Sequence, residues 1–357
     1  MRERFAELID RLRGWWNQAV AGGGGPKRWL PVLGYAAFFL LVFVIAAYLT
    51  FPWDRLRDYV VQEVERPEGP GGVRRPSGWE LDIVDLSPSW LTGVSATGVR
   101  LARRPEVPAA LEDDVPAAPM ELFIDKASAH VSILQLLFGR LGVGLDAELA
   151  GGTLELDYAG GGPQDIDLEL AGVQLRRLGI LRAYLPVPLV GRISGDVELT
   201  LPEDPAEASG TVDLAIEGLT VGDGKAKLPV PGMGDGITLE RVDAGDLALA
   251  GEITEGVLDL TTLAADGTDV EIAGDGTLRL ADPLARSVLD LLLYVQVKDA
   301  YRDRNDRTRA LFSLLEVSPD LRRARTDDGG LQFQLGGTVG GRLRSSPAGN
   351  RPRPGGG

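Results

Sequence analysis

The chain has 357 residues, with 52 aspartates and glutamates against 37 lysines and arginines, a net charge of −15 at neutral pH. It has no cysteine, which excludes disulfides, thiol catalysis, thiolate metal sites and iron–sulfur clusters. The acidic balance argues against a nucleic-acid partner, whose phosphates need a basic surface.

Residues 1–28 carry Arg2, Arg4, Arg11, Arg13, Lys27 and Arg28 against Glu3, Glu7 and Asp10, a balance of 6 − 3 = +3, so the remainder holds −15 − 3 = −18. Phe5, Leu8, Ile9, Leu12, Trp15, Trp16 and Ala19 recur at spacings of three and four and line one face of a helix, which Gly22 to Gly25 break. Such an arm either docks on a partner or lies among inner-leaflet headgroups; nothing in it is catalytic.

From Trp29 to Trp53 there is no charged residue. Leu30 to Pro52 as a helix would extend roughly 34 Å, enough for a bilayer core of about 30 Å. Trp29 and Trp53 fall where an interfacial aromatic belt would place them. A cleaved signal peptide would be shorter and end in small residues, unlike Tyr48-Leu49-Thr50-Phe51. The segment is therefore expected to be a transmembrane helix at residues 29–53. The basic arm places the N-terminus in the cytoplasm and the acidic bulk outside, although Arg55 and Arg57 partly offset Lys27 and Arg28.

Residues 54–78 read as a short juxtamembrane helix, Arg55 to Glu65, and a linker with Pro67, Pro70 and Pro76. From Trp79 the period becomes two. Asp165 to Leu170 alternates three acids with three apolar residues, and Asp196 to Leu201, Thr211 to Glu217, Asp269 to Ile272, Thr277 to Leu280 and Leu331 to Leu335 repeat the arrangement. These are half-buried antiparallel strands with one wet face.

Glycine-rich breaks at Gly151-Gly152, Gly160 to Gly162, Gly222 to Gly224, Gly232 to Gly236, Gly274 to Gly276 and Gly336-Gly337 predict a meander of hairpins. Helical patterns occupy Val131 to Phe138, Leu175 to Leu185 and Thr308 to Val317. Residues 104–119 read as a flexible loop and 345–357 as a disordered tail. The fold class is thus mainly β: one N-terminal transmembrane helix, then a many-stranded antiparallel, elongated or curled sheet over residues 79–344 with a few short helices. Its apolar face either closes into a core or lines a groove.

A search for chemistry yields weak candidates. The single histidine, His130, is read as a helix-start or partly buried residue; an enzyme would need it clustered with acids around a pocket. Asp113-Asp114 and Asp327-Asp328 are adjacent acids whose side chains point apart. Gly232 to Gly236 shares only glycine content with a phosphate loop. Asp303 to Asp306 reads as a structural turn, because Arg302, Arg304, Arg307 and Arg309 crowd it with positive charge. No G-x-S-x-G elbow is present. No catalytic, cofactor-binding or metal residue is assigned, and the chain is not expected to be an enzyme.

Four stretches carry a resemblance: Leu86 to Val94 with the strand before it, Pro186 to Val197, Ala265 to Leu280, and Arg307 to Phe312 leading to Asp328 to Thr338. Together they resemble the N protein of the bacterial type II secretion system in its longer form, over roughly residues 30–346. The resemblance implies a single-pass accessory subunit of the cell inner membrane whose periplasmic β domain assists export of folded proteins beside other inner-membrane secretion subunits. It also implies kinship in strand architecture with AsmA-like proteins, whose elongated sheets form lipid-carrying grooves. A phospholipid groove lined by Ile166, Leu168, Leu170, Val197 and Leu199 is accordingly the alternative function. The family brings no catalytic residues, and the arm at residues 1–20 and the loop at 104–119 depart from its pattern.

Overall fold

The computed structural model describes residues 29–67, 73–74, 76–89, 92–103, 120–179, 181, 187–230, 233–238, 240–315, 318–339, 343–349, 351–352 and 354. The predicted arm at residues 1–28 and loop at 104–119 lie outside them. The chain divides into two units, Met1–Pro52 and Trp53–Gly357.

Among the described residues the first unit holds one helix, α1 (Trp29–Thr50), 22 residues without a charge. Leu33, Phe39 and Phe43 are 71%, 71% and 70% exposed. Over the fully described positions alone, no helix is long and apolar enough to cross a membrane.

The second unit opens with α2 (Trp53–Glu65), whose Asp54 lies in the first turn, where the helix dipole favours an acid. Leu56, Val60, Val61 and Val64 are half-buried, and α2 packs on the first strand. At its C-terminal end, Ser77 Oγ donates to the Val64 carbonyl (2.6 Å) and the Ser77 N–H to the Glu65 carbonyl (2.8 Å). Two carbonyls that lack partners within the helix are thereby satisfied.

A 14-stranded, wholly antiparallel sheet follows. Its first eight strands are β1 (Trp79–Ser89), β2 (Gly93–Arg103), β3 (Met120–Val131), β4 (Leu141–Leu149), β5 (Gly152–Gly160), β6 (Gln164–Gln174), β7 (Leu189–Leu201) and β8 (Ser209–Val221). A two-stranded excursion, β9 (Lys227–Val230) and β10 (Met233–Thr238), comes next. The sheet then resumes with β11 (Val242–Thr254), β12 (Val257–Asp266), β13 (Val270–Arg279), β14 (Val288–Val297), β15 (Leu331–Thr338) and β16 (Arg344–Pro347). Within this sheet every strand lies beside the one before it, β11 joining β8 past the excursion. The β4–β5 turn, Ala150 (φ 51°) and Gly151 (φ 77°), and the β11–β12 turn, Glu255 (φ 51°) and Gly256 (φ 71°), have both central residues left-handed, as a two-residue hairpin matched to strand twist requires.

Short helices lie in the connections: α3 (Ile133–Leu137) after β3, a 3-10 turn at Leu175–Arg177 after β6, and α4 (Asp299–Arg302), α5 (Asp306–Leu315) and α6 (Pro319–Ala324) between β14 and β15.

Several expectations are corrected. His130 does not start a helix; it sits on β3, paired with Gly93 and Gly144, because the alternation of Ala127, Ala129 and Val131 carries the strand past it. The helix expected from Leu175 to Leu185 is broken early: Leu175–Arg177 forms a 3-10 turn, Leu178 is extended, and residues 180 and 182–185 lie outside the described residues. Gly274 to Gly276 is no turn. It lies within β13, where Gly274 leaves room for the Leu263 side chain and Gly276 for the β14 backbone. Of the tail expected to be disordered over residues 345–357, the first three residues pair instead, Ser345 with Leu335 and Pro347 with Phe333.

Fully buried apolar side chains concentrate at one end of the sheet. One cluster holds Ala147, Leu149, Ala150 and Val173, the other Leu175, Leu219, Ala244 and Val270. These positions are where β4, β6 and β8 finish and β11 and β13 begin.

Candidate functional site

The register builds two contrasting faces. Leu145, Leu156, Leu168, Val197 and Val212 stand directly opposite one another across β4 to β8, and all five are only half-buried. The neighbouring row continues through Leu154, Leu170, Gly195, Leu214, Leu249 and Leu263. The groove residues expected from sequence come together here: Ile166 faces Leu199, Leu168 faces Val197, and Leu170 shares their face. The middle of a face covered by a second layer would be buried to the level of the end clusters. Partial exposure across these strands marks an apolar face without such cover among the described residues.

The opposite face carries Asp146, Glu155, Glu169, Asp196 and Asp213, likewise directly opposite one another and all exposed. Like charges in register repel. They keep that face in water and so fix which side the leucines take.

At the end of this acidic face, register creates a cavity of about 350 Å³ lined by His130, Ser132, Gln135, Asp157, Asp165 and Asp167, among others. Gly144 makes room for the imidazole, which lies where its Cβ would be. Asp165 accepts from Thr200 Oγ1 (3.0 Å) and from Arg140 Nη2 (3.4 Å), and Gln135 Oε1 is buried without a hydrogen bond. Sequence reasoning missed this gathering, since residues 27 apart meet only through pairing of β3, β4 and β5. Among the described residues no hydrogen bond joins His130 to a carboxylate, and no group of three or more histidines and acids is placed to hold a metal ion.

The other candidates resolve as follows. Asp328 accepts from Tyr294 Oη (2.7 Å) and from the Thr326 hydroxyl, which hold its carboxyl below the usual range, while burial and this bond push the Tyr294 phenol up to about 12. Asn305 caps α5, accepting from the Thr308 N–H (2.9 Å), and Arg304 pairs with the buried Asp269, so the segment Asp303 to Asp306 serves as a turn. Gly234 and Gly236 lie in strand β10, not in a loop around a phosphate. Asp113-Asp114 and Gly232 fall outside the described residues.

No protein-family model, curated protein or solved structure matches the chain.

Proposed function

We propose that the chain is a single-pass envelope protein that holds the acyl chains of lipid on the uncovered face of its sheet. The observation that carries this reading is the half-buried row Leu145, Leu156, Leu168, Val197 and Val212. Contiguous apolar surface of that extent is costly in water and mostly marks a binding surface.

The anchor in this proposal is α1. Its 22 uncharged residues give about 33 Å of helix. Exposed phenylalanines such as Phe39 and Phe43 are stable in hydrocarbon and unfavourable in water. The basic residues before it favour a cytoplasmic N-terminus, and on this reading the sheet is periplasmic.

Purification of the full chain in mild detergent, followed by mass spectrometry of bound lipids and proteins, tests the reading. Phospholipid at near-equal molar amount is the expected result. Secretion-machine subunits at near-equal amounts, with no lipid, would replace it with the structural-subunit role implied by the resemblance.

A further inference from the structure

A second cavity, of about 180 Å³, lies between β14, β15 and the helices α4 to α6. Val295, Val297 and Leu331 form its floor and Phe312 and Leu321 its roof, and Arg302, Arg322 and Arg325 complete the lining. Its floor belongs to the apolar face: Val295 and Val297 alternate with Tyr294 and Gln296 along β14, on the same side as Leu291 and Leu293, while Leu331 stands opposite Val295. The cavity therefore continues the uncovered surface to its closed end and adds positive charge there.

The arginines are not used up by neighbours. Arg302 stacks over the Phe312 ring at 5.6 Å, its Nε is buried without a hydrogen-bond partner, and its ion pair is a 3.6 Å contact to Asp299, a side chain 87% exposed. Arg322 and Arg325 have no carboxylate partner among the described residues, whereas the adjacent Arg323 is paired with Asp320. Three guanidiniums around an apolar hollow, in a chain of net charge −15, form a local exception to the charge of the whole.

We infer that this cavity binds the anionic head of an acyl lipid, a carboxylate or a phosphate, against Arg302, Arg322 and Arg325. A cavity of this size accommodates a benzene-sized apolar group, so it takes the first carbons of a chain. The remainder of the chain lies along Leu293, Leu291 and Phe333. Guanidinium forks match carboxylate and phosphate oxygens and fit a neutral head poorly. The inference rests on the lipid reading above and adds the head-group chemistry.

The test is native mass spectrometry of the full chain in detergent, offered oleate, phosphatidylglycerol, phosphatidylcholine or inorganic phosphate at equal concentrations. Wild type is expected to hold oleate or phosphatidylglycerol on the order of tenfold more tightly than phosphatidylcholine, and R322Q/R325Q to lose that preference while keeping its thermal midpoint. Both arginines are exposed, so the fold tolerates the change. Oleate against phosphatidylglycerol identifies which anion the site takes. Lipid retention without charge preference, or a preference that survives R322Q/R325Q, overturns the head-group site and leaves the lipid reading standing. Inorganic phosphate bound as tightly as the lipids overturns the amphiphile in favour of a bare anion site. No retention of any lipid overturns both.

Discussion

Arg304 reaches from the α4–α5 connection to Asp269 at the β12–β13 turn, a pair in which the carboxylate is 3% exposed and the guanidinium 39%. Asp269 also accepts from the Asp243 N–H at 2.7 Å, and Arg304 stacks over Tyr301 at 4.8 Å. One buried acid thus ties together β11, a hairpin turn and the helical connection. Removing Arg304 strands it. Arg304→Ala is expected to cost about 3 kcal/mol in urea unfolding followed by circular dichroism, and Arg304→Lys less. A cost below about 1 kcal/mol would show that water replaces the guanidinium.

The pair Tyr294 and Asp328 makes stability depend on pH at both extremes. Burial first, then the bond to Asp328, raises the Tyr294 phenol to about 12, and burial does the same for Tyr301. Both lend stability that is complete below the ordinary tyrosine value of about 10 and lost as pH climbs toward about 12. The Asp328 carboxyl is lowered, so its contribution is complete above about 3.9 and lost as pH falls through its native value. Thermal midpoints should fall above pH 10, and Tyr294→Phe should flatten that fall.

Side chains on the uncovered face should tolerate truncation better than those at the closed end. Leu175→Ala, at a residue 6% exposed, is expected to cost about 2–5 kcal/mol, and Leu168→Ala, half-buried, about 1 kcal/mol. Leu168→Ala should also lower lipid retention. Equal costs at the two sites would mean that the middle of the face is covered.

Gly144 and His130 should be coupled. A methyl group at residue 144 would collide with the imidazole. Gly144→Ala is expected to destabilise by about 1–2 kcal/mol alone and by much less in the His130→Ala background, measured as a double-mutant cycle.

Much of the fold is legible in the sequence because two periodicities dominate it. Acidic and apolar residues alternate from Asp165 to Leu170, and the structure places that run within β6 with Ile166, Leu168 and Leu170 on one face. What escaped has a common cause: it depends on neighbours across strands. Gly274 to Gly276 has the composition of a turn, yet it accommodates Leu263 from the adjoining strand. His130 meets its acids through register, and Arg302 and Arg322, twenty residues apart on two different helices, come together at one cavity. In the tail, Arg344 to Pro347 has little strand character of its own and finds order on the edge of β15.

The chain-order pairing of the sheet bears on how it is made. Each new strand finds its partner in the one just synthesised, and only the step from β8 to β11 skips a hairpin. Contacts are short in sequence, so loop closure is cheap at every addition and folding is fast for a β protein of this size. Assembly can run like a zipper from α2 outward as the polypeptide emerges, with no late strand required to close a barrel, and a lesion in β14 or β15 would leave the strands before it paired.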